Sequence, residues 1–269
     1  MNMKKILILL SFFILLTSGC EQTSTTEDIP YKTVLVVRGL IEEGKVIKDI
    51  YVGKTFPVGL KYSADFANVT NATVLLQIND EAIITLRHTL NGLYTTNNLV
   101  ARRGNKYTLI IQWGDKTGYG QTEIPQKGAF SSTSVVMKEE NGQQIFSLEG
   151  RVSTFNNEAY GATWAVLGSG NSIMDESKEF GNIVRGKTAG ENIIVPTATI
   201  PRNFVSGSST LGVRFYIYDS SFYDYYLTQN SNQISDAIFG QPTAAVKWNV
   251  TGDAIGMFVA RCDTLIRMN

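Results

Sequence analysis

Apolar and polar residues alternate with a period of two along much of residues 33–124. In "ATVLLQI", Ala72, Val74, Leu76 and Ile78 share one face, and in "KYTLIIQW" Tyr107, Leu109, Ile111 and Trp113 do the same. In "FPVGLKY", Phe56, Val58, Leu60 and Tyr62 alternate with Pro57, Gly59 and Lys61. Successive side chains of a strand point to opposite faces, so this pattern predicts half-buried strands. About eight such segments with turn residues between them predict an all-β sandwich. Pro57 has no N–H to donate and places its segment at an edge or bulge.

The cluster "PQKGAFSST" (Pro125 to Thr133) reads as a boundary, with one domain over residues 31–125 and a second over 126–269. The second opens with a hairpin, because Asn141-Gly142 separates two strand-like runs and suits a type I′ turn. "GATWAVLG" and "TLGVRFYIY" predict further strands, with Leu211, Val213, Phe215 and Ile217 on one face of the latter. Residues 171–190 are polar and read mostly as loop. "DSSFYDYYLTQNSNQI" predicts one helix, capped by Ser220 or Ser221. Its stripe runs through Phe222, Tyr225, Tyr226 and Gln229, extended by Tyr223 and Leu227. "TAAVKWNVTGDAIGMFVARCDTLIRM" predicts two strands around a turn at Thr251 to Asp253.

The N-terminus has a different pattern. Lys4 and Lys5 precede an apolar run from Ile6 to Leu16 that only Ser11 interrupts. It is shorter than the roughly 20 apolar residues a spanning helix needs. With the small residues Thr17, Ser18 and Gly19 it predicts a signal peptide over residues 1–19. Cys20 follows at once, and the arrangement resembles the bacterial lipobox, with Leu16 four places before the cysteine. That resemblance implies that Cys20 is acylated, becomes the mature N-terminus and anchors the protein to the membrane through lipid alone. Residues 20–30 hold one apolar side chain after the cysteine, Ile29, and predict a flexible tether that reaches roughly 33 Å when extended.

Composition narrows the possible partners. The chain has 269 residues, 24 basic and 24 acidic, and loss of Lys4 and Lys5 leaves a formal charge of −2. That balance gives no electrostatic reason to bind nucleic acid. With Cys20 lipidated, Cys262 has no intramolecular partner and reads as a small buried hydrophobe.

Candidate chemistry is sparse. His88 is the only histidine and continues the register of Ala82, Ile84 and Leu86, which suits a structural role better than a base or ligand. One histidine and one spare cysteine are too few for an ordinary zinc site. "GDKTGYG" lacks the Gly-Lys-Ser/Thr run of a phosphate loop. Asp175, Glu176 and Glu179 are near enough in sequence to form a glycosidase pair, although the same spacing suits a solvated loop. Tyr216, Tyr218, Phe222, Tyr223, Tyr225 and Tyr226 could stack on a sugar, meet a protein partner or dock the helix onto its sheet. "DTL" at Asp263 to Leu265 resembles a short O-glycosylation acceptor. These readings name no catalytic residue, metal or cofactor.

Four stretches, in order, carry a family resemblance: "LVVRGLI" with "TFPV"; "NATVLLQI", "GLYTTNN" and "RRGNKYTLIIQWGDKTGYGQTEIP"; "FYDYYL"; and "AVKWNVTGDAIGMF". Together they resemble a domain-of-unknown-function family of Bacteroidetes outer-membrane lipoproteins. Its members end in a glycine-rich turn that Asn249, Gly252, Gly256 and Phe258 match, with Asp253 where a second glycine stands. The resemblance implies a mainly β fold: an immunoglobulin-like or transthyretin-like N-terminal β domain, then a second β-rich domain with one short aromatic helix. It also implies an accessory outer-membrane lipoprotein for nutrient capture or uptake, of a kind often found beside TonB-dependent receptors; with the lipobox and the sparse chemistry, the expectation is a non-catalytic binding module that assists such a receptor. A structural or adhesive surface lipoprotein is the alternative, and a hydrolase the third reading.

Overall fold

The computed structural model describes residues 31–57, 59–207, 209–231 and 245–268. The expected signal peptide, Cys20 and the tether to Pro30 lie outside them. The strands are β1 (Leu35–Glu42), β2 (Ile50–Lys54), β3 (Thr73–Ile78), β4 (Ala82–His88), β5 (Leu93–Thr95), β6 (Lys106–Trp113) and β7 (Lys116–Glu123). They continue as β8 (Ala129–Glu140), β9 (Gln143–Ser153), β10 (Ala159–Leu167), β11 (Ile173–Glu176), β12 (Val184–Arg185), β13 (Asn192–Pro196), β14 (Thr210–Tyr218), β15 (Val250–Gly252) and β16 (Ala254–Arg267). Helices are short: α1 (Ala64–Ala67), α2 (Arg202–Ser206) and α3 (Ser220–Ser231). The protein is mainly β, as expected, and the aromatic helix is α3.

Alternation works where both neighbours of a strand are in place. Val74 and Leu76 of β3 and Tyr107, Leu109 and Ile111 of β6 are buried in one core cluster with Leu35, Val37, Ile50 and Val52 of β1 and β2. Leu211, Val213, Phe215 and Ile217 of β14 are buried on one face. Asn141 and Gly142 take φ of 53° and 76°, which makes the β8–β9 connection the expected type I′ turn.

"FPVGLKY" does not form the expected strand. β2 ends at Lys54, and Leu60 and Tyr62 are 62% and 66% exposed. Pro57 has no donor and Gly59 takes φ +87°, so no ladder forms. Phe56 instead gathers Tyr62 and Phe66 at 5.8 and 5.0 Å between ring centroids. Residues 171–190 hold two short strands, β11 and β12, that border β10.

The large sheet runs β11-β10-β14-β16-β1-β2-β5-β4-β3-β6-β7-β15, with β12 also on β10; β13-β9-β8 form a smaller sheet. The expected division at residue 125 does not divide the large sheet. β15 pairs with β7, and β16 runs parallel to β1 from Leu35↔Ala254 to Glu42↔Arg261. Residues from Thr33 onward form one compact unit, and one core cluster spans both sides of the expected boundary. Local alternation finds strands but not their pairing, and the pairs that join the halves lie far apart in sequence.

Residues 250–267 form two strands around a turn, as expected, and the two strands take different partners. β15 turns to β7 and β16 to β1, with the bend at Gly252, φ +86°. The left-handed position falls on Gly252 and not on Asp253. Asp253 instead donates its N–H to Thr117 O at 2.7 Å and accepts from Thr117 N at 3.3 Å, so aspartate suits the place of the family's second glycine.

The far edge of β16 has a division of labour. Beyond Arg261 it is covered by β14. Before that point β14 has turned away into α3, and two side chains take over. Asp219 accepts from Ala260 N at 3.0 Å through its carboxylate, and its own N–H donates to Ala260 O. Asn249 accepts from Phe258 N at 2.8 Å and donates to Phe258 O at 2.7 Å. It acts as one residue of a strand and satisfies backbone groups that burial would otherwise leave unpaired. Asn249→Ala is expected to lower stability by about 2–3 kcal/mol, the cost of orphaned buried polar groups; urea unfolding checks it, and a change within 0.5 kcal/mol would show that water replaces the amide. Asp219 also corrects the expected cap. It accepts from Ser221 N at 2.9 Å, so Asp219 is the N-cap and Ser220 opens the first turn.

Candidate functional site

β1 and β16 bury Leu35, Val37 and Ile41 and Ala254, Phe258 and Ala260 on their inner faces. Alternation therefore turns Val36, Arg38, Leu40 and Glu42 outward beside Ile255, Met257, Val259 and Arg261. α3 stands at one side of this outer face. Phe222 stacks on Tyr218 with ring centroids 4.0 Å apart, and Phe222, Tyr223 and Tyr226 pack with Tyr216, Tyr218 and Phe180 in a satellite cluster. The aromatic group thus divides. Most of it docks the helix, while Tyr225 turns toward Trp248, 5.4 Å between centroids. Gln229 and Leu227 of the expected stripe are exposed.

Tyr225 and Trp248 edge a cleft of about 520 Å³ whose floor is Val36, Leu40, Ile255 and Met257. Tyr51 and Leu93 form the opposite side. The Arg38 guanidinium lies 4.6 Å from the centre of the Tyr51 ring. Asp49 supplies an acidic group at the rim, 3.7 Å from Lys48 Nζ. Trp248 is 41% exposed there. A volume of this size, a mainly apolar lining and a few polar groups at the margin suit a binding recess. The sequence reading missed Arg38, Tyr51 and Trp248. The alternation of "LVVRGLI" does place Arg38 outward, but only the β1–β16 pairing reveals what lies beside it.

A second recess, about 380 Å³, lies on the same face and is lined by Thr163, Glu176, Phe180, Tyr216 and Arg261. Glu176 accepts from Thr163 Oγ1 at 2.9 Å and Tyr216 OH at 3.0 Å and pairs with Arg214 at 3.3 Å. It is a tied structural carboxylate. Asp175 and Glu179 are exposed, and Asp175 Oδ1 accepts from Glu176 N. These three acids therefore do not form a pair across a shared cleft. Burial and the neighbouring Glu176 charge push the Tyr216 phenol above its ordinary value, against the effect of Arg214.

Between the recesses, Arg261 donates to Glu42 Oε1 through Nε at 2.9 Å and also through its terminal nitrogen, and to Tyr218 OH at 3.2 Å. Burial opposes ionisation of Glu42, but hydrogen bonds and charge from Lys45 and Arg261 outweigh it and hold the carboxyl below its ordinary value. A depressed folded-state pKa contributes stability that is present above the unfolded value, near 4.3, and is lost as pH falls through the folded value. Glu42→Gln is thus expected to destabilise the protein at pH 7 and to approach wild type as pH drops below about 4. Urea midpoints of both proteins from pH 7 to pH 3 check this; a gap that widens on acidification would contradict it.

The remaining candidates have structural places. His88 ends β4, accepts from Gly92 N at 3.3 Å and meets the Tyr94 ring edge-on. Cys262 is buried, its thiol pushed up to about 12 by burial and the Glu43 charge, with Pro125 O 3.4 Å from Sγ. Thr264 of the "DTL" stretch is half-buried within β16, opposite Phe215. Among the described residues no cluster of three or more His, Cys, Asp or Glu could hold a metal ion, and no helix is long and apolar enough to cross a membrane.

No curated protein matches the chain. Bovine butyrophilin aligns with 89% of this chain and 100% of its own at 11% identity, TM-score 0.21. A DUF3823 family protein from Bacteroides ovatus ATCC 8483 aligns with 69% of this chain and 90% of its own at 14% identity, TM-score 0.15. Scores this low bear on neither fold nor function. A family model, by contrast, matches residues 22–263, continuous across the sheet-joining strands and the Asn249–Phe258 turn. The chain belongs to the family described as a domain of unknown function (DUF4249).

Proposed function

We propose that this chain is a lipid-anchored outer-membrane protein of Bacteroidetes type that binds rather than catalyses, and that it assists a TonB-dependent receptor in nutrient capture. The cleft bounded by Arg38, Tyr51, Tyr225 and Trp248 carries the binding role. Its floor, Arg38 and Tyr51 lie on strands held by pairing on both sides of β1, which preorganises that part of the surface, while α3 and the segment before β15 add the faces of Tyr225 and Trp248. The placing of His88, Glu176 and Cys262 in structural contacts supports a non-catalytic role. Support for the anchor comes from the apolar run that stops at Cys20. An acylated Cys20 gives stable attachment when more than one chain is added, at about 0.8 kcal/mol per buried CH₂.

Two measurements test this reading. Cys20→Ala is expected to move the protein from the membrane fraction to the soluble periplasmic fraction; retention in the membrane would remove the anchor from the account. Co-purification of the tagged, lipidated protein from its own membranes in mild detergent is expected to bring a large β-barrel receptor in near-stoichiometric yield. Recovery of the protein alone would speak for the adhesive role instead.

A further inference from the structure

β8 is twelve residues long and, among the described residues, pairs on one side only, with β9. Among the described residues no hydrogen bond reaches the backbone of its other edge. Such an edge is a template for another strand, and most proteins shorten, charge or cover it. Here a bulge at Ser131 distorts only the beginning. From Ser132 to Glu140 the pairing with β9 runs without a shift.

The hairpin geometry tells which groups face outward. A two-residue type I′ turn makes Glu140↔Gln143 a hydrogen-bonded pair. Lys138, Val136 and Ser134 then also bond to β9, and Thr133, Val135, Met137 and Glu139 direct their N–H and C=O groups to the open edge. Val135 and Met137 also share a face, on which they lie 42% and 59% exposed. They continue the row of Phe130 and Thr133 outward past the covered core.

We propose that two copies of this chain join through β8, antiparallel and edge to edge, about a two-fold axis at Val136. Closed two-fold pairing brings the same patch of each copy together. This register sets Val135 opposite Met137 of the second copy, twice by symmetry, so the exposed apolar side chains meet each other. It sets Thr133 opposite Glu139 and Ser132 opposite Glu140, so no acid faces an acid. The acidic end of one copy arrives at a hollow of about 250 Å³ beside Ser132, Thr133 and Arg267 of the other, which supplies the opposite charge. Moving the axis to Val135 sets Met137 opposite Thr133 and brings Glu139 to the bulge at Ser131. Moving it to Met137 sets Val135 opposite Glu139. Those registers leave one of the two apolar side chains against a polar one; among the three, the axis at Val136 alone gives both an apolar partner. It forms about eight main-chain hydrogen bonds and joins two three-stranded sheets into one.

The register can be read directly by cysteine cross-linking of the full lipidated chain in isolated membranes. Val136 falls in a non-hydrogen-bonded pair with its own copy, about 4.5 Å between Cα atoms, within disulfide range. Cys262 is buried with a raised thiol pKa and does not compete. Under mild oxidation Val136→Cys is expected to give mostly disulfide-linked homodimer. Ser134→Cys and Lys138→Cys are each expected to stay monomeric alone and to cross-link when co-expressed. Val135→Glu with Met137→Glu, added to Val136→Cys, is expected to cut the dimer at least tenfold. Val135→Lys with Met137→Glu is expected to restore it, which separates loss of pairing from loss of folding. The proposal is overturned if Val136→Cys stays monomeric, if it links to a different protein, or if Ser134→Cys alone links as well as Val136→Cys.

Discussion

Gly256→Ala is expected to prevent this protein from folding to a stable state at 25 °C. Gly256 sits opposite Val37 in the parallel β1–β16 pair, with φ +132°. A Cβ there would lie 1.9 Å from Val37 O and 2.8 Å from Val37 C, which are backbone atoms that no rotamer change can move aside. Relief would require β1 to separate from β16, and that pair joins the two parts of the large sheet. Backbone strain and the displaced pairing together put the cost above about 4 kcal/mol, a large part of an ordinary domain's 5–15. Gly190→Ala is the control. Gly190 has φ +78° and open space where a Cβ would stand, so its cost is the conformational one, about 1–2 kcal/mol. Circular dichroism and urea unfolding of both variants check the pair; similar costs would show that the seam yields more easily than its geometry implies.

Asp219→Ala is expected to be the most damaging substitution of a polar side chain. Its carboxylate accepts from Ala260 N at 3.0 Å, from Ser221 N at 2.9 Å, and from the hydroxyls of Ser221 and Thr122. One residue therefore ends β14, caps α3 and closes the edge of β16. Hydrogen bonds to a charged group are worth about 1.5–3 kcal/mol each, and a lost N-cap about 1, with strong overlap among shared partners. A total loss of about 3–5 kcal/mol follows. Asp219→Asn keeps one acceptor oxygen but turns an NH₂ toward other donors, and should lie between. Because α3 hangs from this cap, the stacking of Phe222 on Tyr218 should loosen, and near-ultraviolet circular dichroism should weaken at temperatures where the β signal persists. Full near-ultraviolet signal in Asp219→Ala would contradict this role.

Local pattern carried the strands and not their partners. Val74 and Leu76, Leu109 and Ile111, and the Asn141-Gly142 turn could be read because side-chain period and turn chemistry are properties of a few adjacent residues. "FPVGLKY" has the same period, but Pro57 and Gly59 remove the ladder that would give the period meaning. The expected division at residue 125 failed for a different reason. Composition does break there, yet β15 and β16 return across it, and nothing within either segment records its partner strand. The cleft was hidden for that same reason: Arg38 and Met257 are paired across the seam but more than 200 positions apart in sequence. Asp219 was passed over for Ser220 and Ser221 because all three are good caps; which residue caps depends on where β14 stops. Asn249, Gly252 and Gly256 stood out by resemblance, and the structure supplies their physical roles as a strand surrogate, a bend and a close backbone contact.

Two proteins compared in one co-purification decide whether the cleft binds. The lipidated wild type and a variant with Arg38→Glu and Trp248→Ala are recovered from the same strain in mild detergent, after circular dichroism has matched their folds. Both side chains are exposed, so the substitutions change the cleft and leave the core intact. A large β-barrel receptor is expected to accompany the wild type, and its yield, or that of the substance it carries, to fall at least tenfold with the variant. Equal recovery with both proteins would contradict the assignment of binding to this cleft.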